Sequence, residues 1–313
     1  MPVTRALISN VKLFLSPVTK QRFRIERAKY RGQQILSAQA GNDFLAESLA
    51  AGRPFAAGKL GAAELDGLTR YERAKDSNGY CAEWGRNATM LHRNAGVYPD
   101  SADVFSRFCR VYIESIRAID ALAVWYRFGE HRIQSRYAPH ARLVAQTAIE
   151  PFYHHRPWSR MLAGKRVLVL TPFAETVHTQ GRRLKEVWRA KPDVMPDVEL
   201  DTLRVPLSAG LVEPVHTDWF SALDALTQEM ASRHFDVMIV GAGAWSLPLA
   251  ARAKQMGKWA IHLGGSTQIL FGVKGRRWDS NPLMAEVSND AWVRPSEAER
   301  PRTFQAVEQG CYW

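Results

Sequence analysis

Apolar residues in this chain fall into short unbroken runs separated by longer amphipathic stretches. FDVMIV (235–240) and VLVL (167–170) are apolar at almost every position, and WAIHLGG (259–265) is apolar until its two glycines. Runs this short and this continuous predict strands buried on both faces, as in a parallel sheet. A further strand is expected at about 199–205, and PFAAGKLG (54–61) reads as a strand entering a glycine turn. Between the runs the period becomes helical, over about 62–73, 176–190, 217–234 with Asp218 as N-cap, and from the GAGAW segment to Lys254. Strand–helix alternation predicts an α/β fold, a Rossmann-like and mostly parallel sheet flanked by helices.

The flanking regions differ. Val104, Phe105, Phe108, Val111, Tyr112, Ile116 and Ile119 recur at helical spacing, so 101–148 is expected to be a helical insertion of two or three helices. The expected organisation is a basic helical N-terminal arm (1–52), a catalytic domain (53–288) and a C-terminal tail (289–313) packed on that domain.

Charge sharpens this picture at one end only. The net charge is +11, and residues 1–34 carry eight cations against the single acid Glu26, so +7 of the excess lies there. The remainder is mildly basic, which argues against a nucleic-acid-binding protein. A concentrated basic arm suits an anionic membrane surface or a phosphorylated partner, or is a solvated terminus. Cys81, Cys109 and Cys311 are odd in number and far apart, with neither metal-ligand nor disulfide-framework spacing. No stretch approaches the roughly 18–20 apolar residues of a membrane span, and the N-terminus lacks a signal-peptide pattern. A cytoplasmic protein is expected, peripheral at most on the inner face of the membrane.

Candidate chemistry gathers where strands end, because ligands of parallel sheets sit beyond the carboxyl ends. Gly241 and Gly243 follow one strand and suit close approach of a phosphate, or simply form a tight turn; the pattern is not a complete dinucleotide fingerprint. Gly264, Gly265 and Gln268 follow the next strand, and Lys274, Arg276 and Arg277 behind them can neutralise a diphosphate. Trp278 can stack on a base or sugar, or belong to the core. His262 is a candidate base or a structural histidine. Thr176, His178 and Gln180 follow a third strand and can bind phosphate or sugar hydroxyls, or serve the next helix. Lys59, Gly61 and Glu64 follow a fourth. Glu64 can be a general base, a metal ligand, or an ordinary first-turn acid; Asp66, two positions on, points away from it on a helix.

The segments Lys59-Leu60-Gly61-Ala62-Ala63-Glu64 and Gly257-Lys258-Trp259-Ala260-Ile261-His262-Leu263-Gly264 resemble those of the GT-D-fold glycosyltransferases, formerly grouped as a domain of unknown function. The resemblance spans about 54–279, is stronger in the C-terminal half, and extends to bacterial proteins associated with surface-polysaccharide loci. It implies a nucleotide-sugar donor, most simply a UDP-sugar, a glycan or lipid-linked acceptor, and a divalent metal (Mn²⁺ or Mg²⁺). The family's Asp-x-Glu pair stands here as Ala62-x-Glu64, so only one metal carboxylate is kept, and Lys59 replaces an arginine. The alternatives are an NAD-dependent oxidoreductase on a similar fold, opposed by the lack of an acid placed for a ribose, and a non-catalytic nucleotide- or glycan-binding protein.

Overall fold

The computed structural model describes residues 17–76, 84–207, 212–306 and 308–313. The basic residues Arg5 and Lys12 and the cysteine Cys81 lie outside them.

Eight strands form one parallel sheet: β1 (Ile35–Leu36), β2 (Phe55–Gly58), β3 (Ala121–Val124), β4 (Arg142–Ala145), β5 (Arg166–Thr171), β6 (Glu199–Arg204), β7 (Val237–Val240) and β8 (Trp259–His262). Their spatial order is β1-β4-β3-β2-β8-β7-β5-β6. The chain therefore builds one half of the sheet from β1–β4 and the other from β5–β8, and joins them where β2 pairs with β8, Ala57 opposite Ile261.

The continuous apolar runs have the expected cause. Along β5, Leu168 and Leu170 enter one core while Val167 and Val169 enter the other; along β7, Met238 and Val240 part from Val237 and Ile239 in the same way. Both faces are covered, so alternation has no polar side to reveal. Helices Ala102–Ala118, Trp219–Ala231 and Ser246–Gln255 cover the first face. Leu45 and Leu49 of helix Ala38–Ala50, with Trp158 and Trp188, belong to the core of the second. Asp218 caps its helix as expected, accepting from the Ser221 amide at 2.6 Å.

Two expectations about the flanking regions are corrected. The segment 101–148 is not a helical insertion: after one long helix it supplies β3, helix Glu130–Tyr137 and β4, and the two strands stand between edge strand β1 and β2. ALAV and RLVA are four residues long and rich in helix formers, so period alone does not separate them from the helix before them. The segment 1–52 likewise holds β1 and helix Ala38–Ala50, which complete the sheet's edge and cover a face. The helix expected over about 176–190 is split into Ala174–Gly181 and Leu184–Val187.

Candidate functional site

Parallel strands bring all their carboxyl ends to one edge, and a cavity of about 480 Å³ lies there. Segments after seven strands line it: Lys59, Gly61 and Glu64 after β2, Trp125 and Arg127 after β3, Glu150 after β4, Thr171, Pro172 and Phe173 around the end of β5, Leu207 after β6, Gly241 and Gly243 after β7, and His262, Gly264, Gly265 and Gln268 around the end of β8. The chain's last residues, Tyr312 and Trp313, close another wall with Arg277 and Trp278. The tail thus does more than cover the domain.

The loop after β7 meets the loop after β8 through bare backbone. A Cβ at Gly241 would stand 2.5 Å from the Gly264 carbonyl oxygen and 2.5 Å from Thr267 Oγ1, so only glycine lets the loops touch. Gly264 itself adopts φ +62°, the left-handed region.

The cations Lys59, Arg127 and Arg277 and the acids Glu64 and Glu150 line the cavity. Burial pushes the Lys59 ammonium below its usual pKa; Glu150 opposes this and Arg277 adds to it. Glu150 is buried and accepts from Ser266 Oγ at 2.5 Å. Arg277 stacks on the Tyr312 ring, 4.6 Å from its centroid. On the opposite side, Arg127 lies 5.0 Å from the Trp125 ring, and Trp125 Nε1 donates to the Leu60 carbonyl at 3.1 Å. That bond ties the loop after β3 to the loop that carries Lys59.

Glu64 is 7% exposed and stands in the first turn of helix Ala62–Asp76. Its carboxylate folds back over Gly61, where any side chain would collide with it. It thus lies at the N-terminal, positive end of its helix. His262 is buried as well. Burial, then the positive charge of Lys59, push its pKa down to about 3 against a smaller opposing effect of the Val240 carbonyl. Its Nδ1 has no hydrogen-bond partner of ordinary geometry among the described residues, and the same holds for the pocket-lining Thr267 Oγ1 and Gln268 Oε1. A polar ligand would satisfy such groups, which are otherwise costly to bury.

Of the residues singled out from the sequence, Lys59, Gly61, Glu64, Gly241, Gly243, His262, Gly264, Gly265, Gln268 and Arg277 come together at this cavity. Five do not line it. Thr176 Oγ1 donates to Glu299, and Gln180 Nε2 donates to the Gly272 and Ala291 carbonyls, so both side chains hold the tail and its neighbouring loop. His178 is exposed one turn along the helix. Lys274 sits where its amide pairs with Val293. Arg276 is exposed and donates to the Gln309 carbonyl at 3.2 Å. Sequence reasoning missed Trp125, Arg127, Glu150 and Tyr312; the apolar run ALAV before WYRFG was the one available signal for the first two.

The donor set does not suit the implied divalent ion. Among the described residues no three His, Cys, Asp or Glu side chains cluster as a metal site. Ala62 stands at the second carboxylate's position, and the neighbouring charges include the cations Lys59 and Arg277.

Comparison with known proteins adds little to this geometry. No family model matches the chain, and no curated protein matches it. Among solved structures it is similar to one described as the selenomethionine-substituted structure of a domain of unknown function (DUF1792). The identity is 10% over 78% of this chain and 82% of that one, with a TM-score of 0.44.

Proposed function

We propose that the chain is a glycosyltransferase that moves a sugar from a nucleotide-sugar donor, a UDP-sugar in the simplest case, to a glycan or lipid-linked acceptor. One observation carries the reading: the cations Lys59 and Arg277 and the glycine backbone of 241–243 and 264–265 line a single cavity at the carboxyl edge of a parallel sheet. Glycines let backbone amides approach a diphosphate, and the two cations balance its charge as it leaves. Trp278 and Tyr312 offer flat surfaces to a base or sugar beside Arg277. Glu64 is the carboxylate for deprotonating an acceptor hydroxyl. His262 suits that task poorly, since a ring held neutral at a pKa of about 3 is too weak a base near pH 7. It fits as a neutral hydrogen-bonding wall of the pocket. Lys59 and Arg277 take over the charge balance expected of a divalent ion, so donor binding should persist in EDTA.

The test is titration calorimetry with UDP, GDP and CMP, their sugar conjugates, and NAD, with EDTA or with Mn²⁺. A nucleoside diphosphate should bind in EDTA, and Lys59→Met and Arg277→Ala should each weaken it by roughly tenfold or more, the loss of one charge-assisted contact. Binding of NAD alone, or full affinity in both variants, would remove this reading.

A further inference from the structure

Large apolar side chains exposed to solvent are few among the described residues: Ile25, Phe128 and Val215. Scattered singly, such residues need no explanation. Two of these are not scattered. Helix Pro17–Ala28 is fixed to the loop after β3 by aromatic packing: the Phe23 ring meets Tyr126 edge-on at 5.1 Å, and Tyr30 meets the same ring at 5.7 Å. This docking brings Lys29, just past the end of the helix, to Phe128. Lys29 Nζ lies 5.4 Å from the Phe128 centroid, and the Arg73 guanidinium, from helix Ala62–Asp76, lies 5.1 Å from it. Ile25 stands one turn before Lys29, and Arg22 one turn before Ile25, so the three follow one side of the helix. Ile25 is 51% exposed and Phe128 53% exposed. The acid of this face, Glu26, is buried and bound to Lys29 at 2.7 Å.

The patch also has a position. Phe128 follows Arg127, which lines the cavity, and the loop that holds both is tied to the loop of Lys59 through Trp125. The apolar tip Phe128 is thus one residue along the chain from the cavity wall.

We infer that the face formed by Ile25, Phe128, Lys29, Arg22 and Arg73 docks on an anionic phospholipid surface. Two apolar side chains among cations match the two layers of a membrane interface: the ring and the isoleucine enter the acyl boundary while the cations meet phosphates. Long basic side chains suit this because their stems lie along apolar surface while their heads stay at the phosphates. An acidic protein would satisfy the cations but gives no reason for isolated exposed apolar groups among them. Docking in this orientation turns the Arg127 side of the cavity toward the bilayer, the side from which a lipid-linked acceptor would enter. That last point rests on the transferase reading; the docking itself does not, since vesicle binding needs no sugar transfer.

The experiment is co-sedimentation of the full chain with vesicles of phosphatidylcholine alone or with about 30% phosphatidylglycerol, a content that gives the negative surface potential required. The wild type should partition onto the anionic vesicles at least roughly tenfold better than onto the neutral ones. Ile25→Ser with Phe128→Ser should reduce that partitioning by on the order of tenfold, as expected for apolar area withdrawn from the interface. Lys29→Glu, which reverses one charge, should reduce it by roughly fivefold or more. Circular dichroism and nucleotide titration on the same samples separate loss of docking from loss of fold or of the cavity. Equal binding to both vesicle types overturns the inference. So does wild-type partitioning by the variants, which would assign any membrane contact to cations outside this face. Light scattering that shows a wild-type dimer and a monomeric Ile25→Ser, Phe128→Ser variant would assign the patch to a second copy of the chain instead.

Discussion

Replacing Glu130 by glutamine tests how the loop after β3 is held against the cavity. Glu130 is fully buried at the start of helix Glu130–Tyr137. Its Oε2 accepts from the Tyr126 amide at 2.8 Å and from the Trp125 amide at 3.3 Å, with the Tyr30 hydroxyl at 3.4 Å. Tyr126 meanwhile adopts φ +60°, a conformation an aromatic residue takes only when its surroundings impose it. The carboxyl thus clamps the turn that places Trp125 and Arg127 on the cavity wall. Burial raises its pKa from 4.5 to about 7, against the hydrogen bonds from the amides of residues 125–127 and from Tyr30, which favour the charged form. A raised carboxyl pKa means that the folded state binds the proton more tightly than the unfolded chain. The resulting stability is complete below the unfolded value and is lost as pH rises through about 7. Integrated between pH 5.5 and pH 8.5, that shift corresponds to about 2 kcal/mol. Glutamine keeps the shape and cannot titrate. Urea denaturation of both proteins at the two pH values should therefore show the wild type gaining about 2 kcal/mol relative to Glu130→Gln at the lower pH. A wild-type-minus-variant difference that is the same at both pH values would refute the argument and place the ionised carboxylate at no disadvantage in the clamp.

Two further substitutions test the backbone of the site. Gly241→Ala drives a methyl group against the Gly264 carbonyl and Thr267, and neither can move without shifting the loop after β8. It should destabilise by about 1–3 kcal/mol in urea denaturation and weaken nucleotide binding as well; a variant with wild-type stability would mean that the loops separate freely. Glu299 is buried and caps helix Ala174–Gly181 from the tail, accepting from the Glu175 amide at 2.8 Å and from the Thr176 amide and hydroxyl. Glu299→Gln should lower stability by about 1.5–3 kcal/mol, the value of hydrogen bonds to a charged acceptor. A loss below about 0.5 kcal/mol, the range of ordinary surface changes, would show that the tail is not held by this cap.

The sequence revealed those parts of the sheet whose burial leaves a strong local mark. VLVL, VMIV and WAIH are apolar because each strand has a core on both sides, and no amphipathic helix yields such a run. The sheet's other half left a weaker mark. β1 has two residues, and β3 and β4 have four each, rich in alanine, leucine and arginine, which serve a helix equally well. Their strand character comes from pairing with neighbours distant in the chain: Asp120 Oδ2 accepts from the Ala56 amide, and Leu122 pairs with Leu143. Information of that kind is tertiary, and no local window contains it.

The same division runs through the site. Residues after β2, β7 and β8 were found because the carboxyl-edge rule needs only a recognised strand. Arg127 and Glu150 were missed because they follow β3 and β4. Tyr312 was missed because it reaches the cavity from the chain's end, its carbonyl accepting from Gln268 Nε2 at 2.9 Å. Where the strand was right, the rule still did not say which side chains turn inward. After β5 the chain does reach the cavity, at Thr171–Phe173, but Thr176 and Gln180 belong to the helix beyond and turn toward Glu299 and the Gly272 carbonyl. The adjacent pair Arg276 and Arg277 shows the limit most simply. In the short turn Arg276–Trp278 successive side chains diverge, so one arginine stacks on Tyr312 in the wall of the cavity while its neighbour binds the Gln309 carbonyl outside. A run of cations in sequence marks a loop as basic; only the turn's geometry decides that a single one of them lines the cavity, with Lys59 from the other half of the sheet.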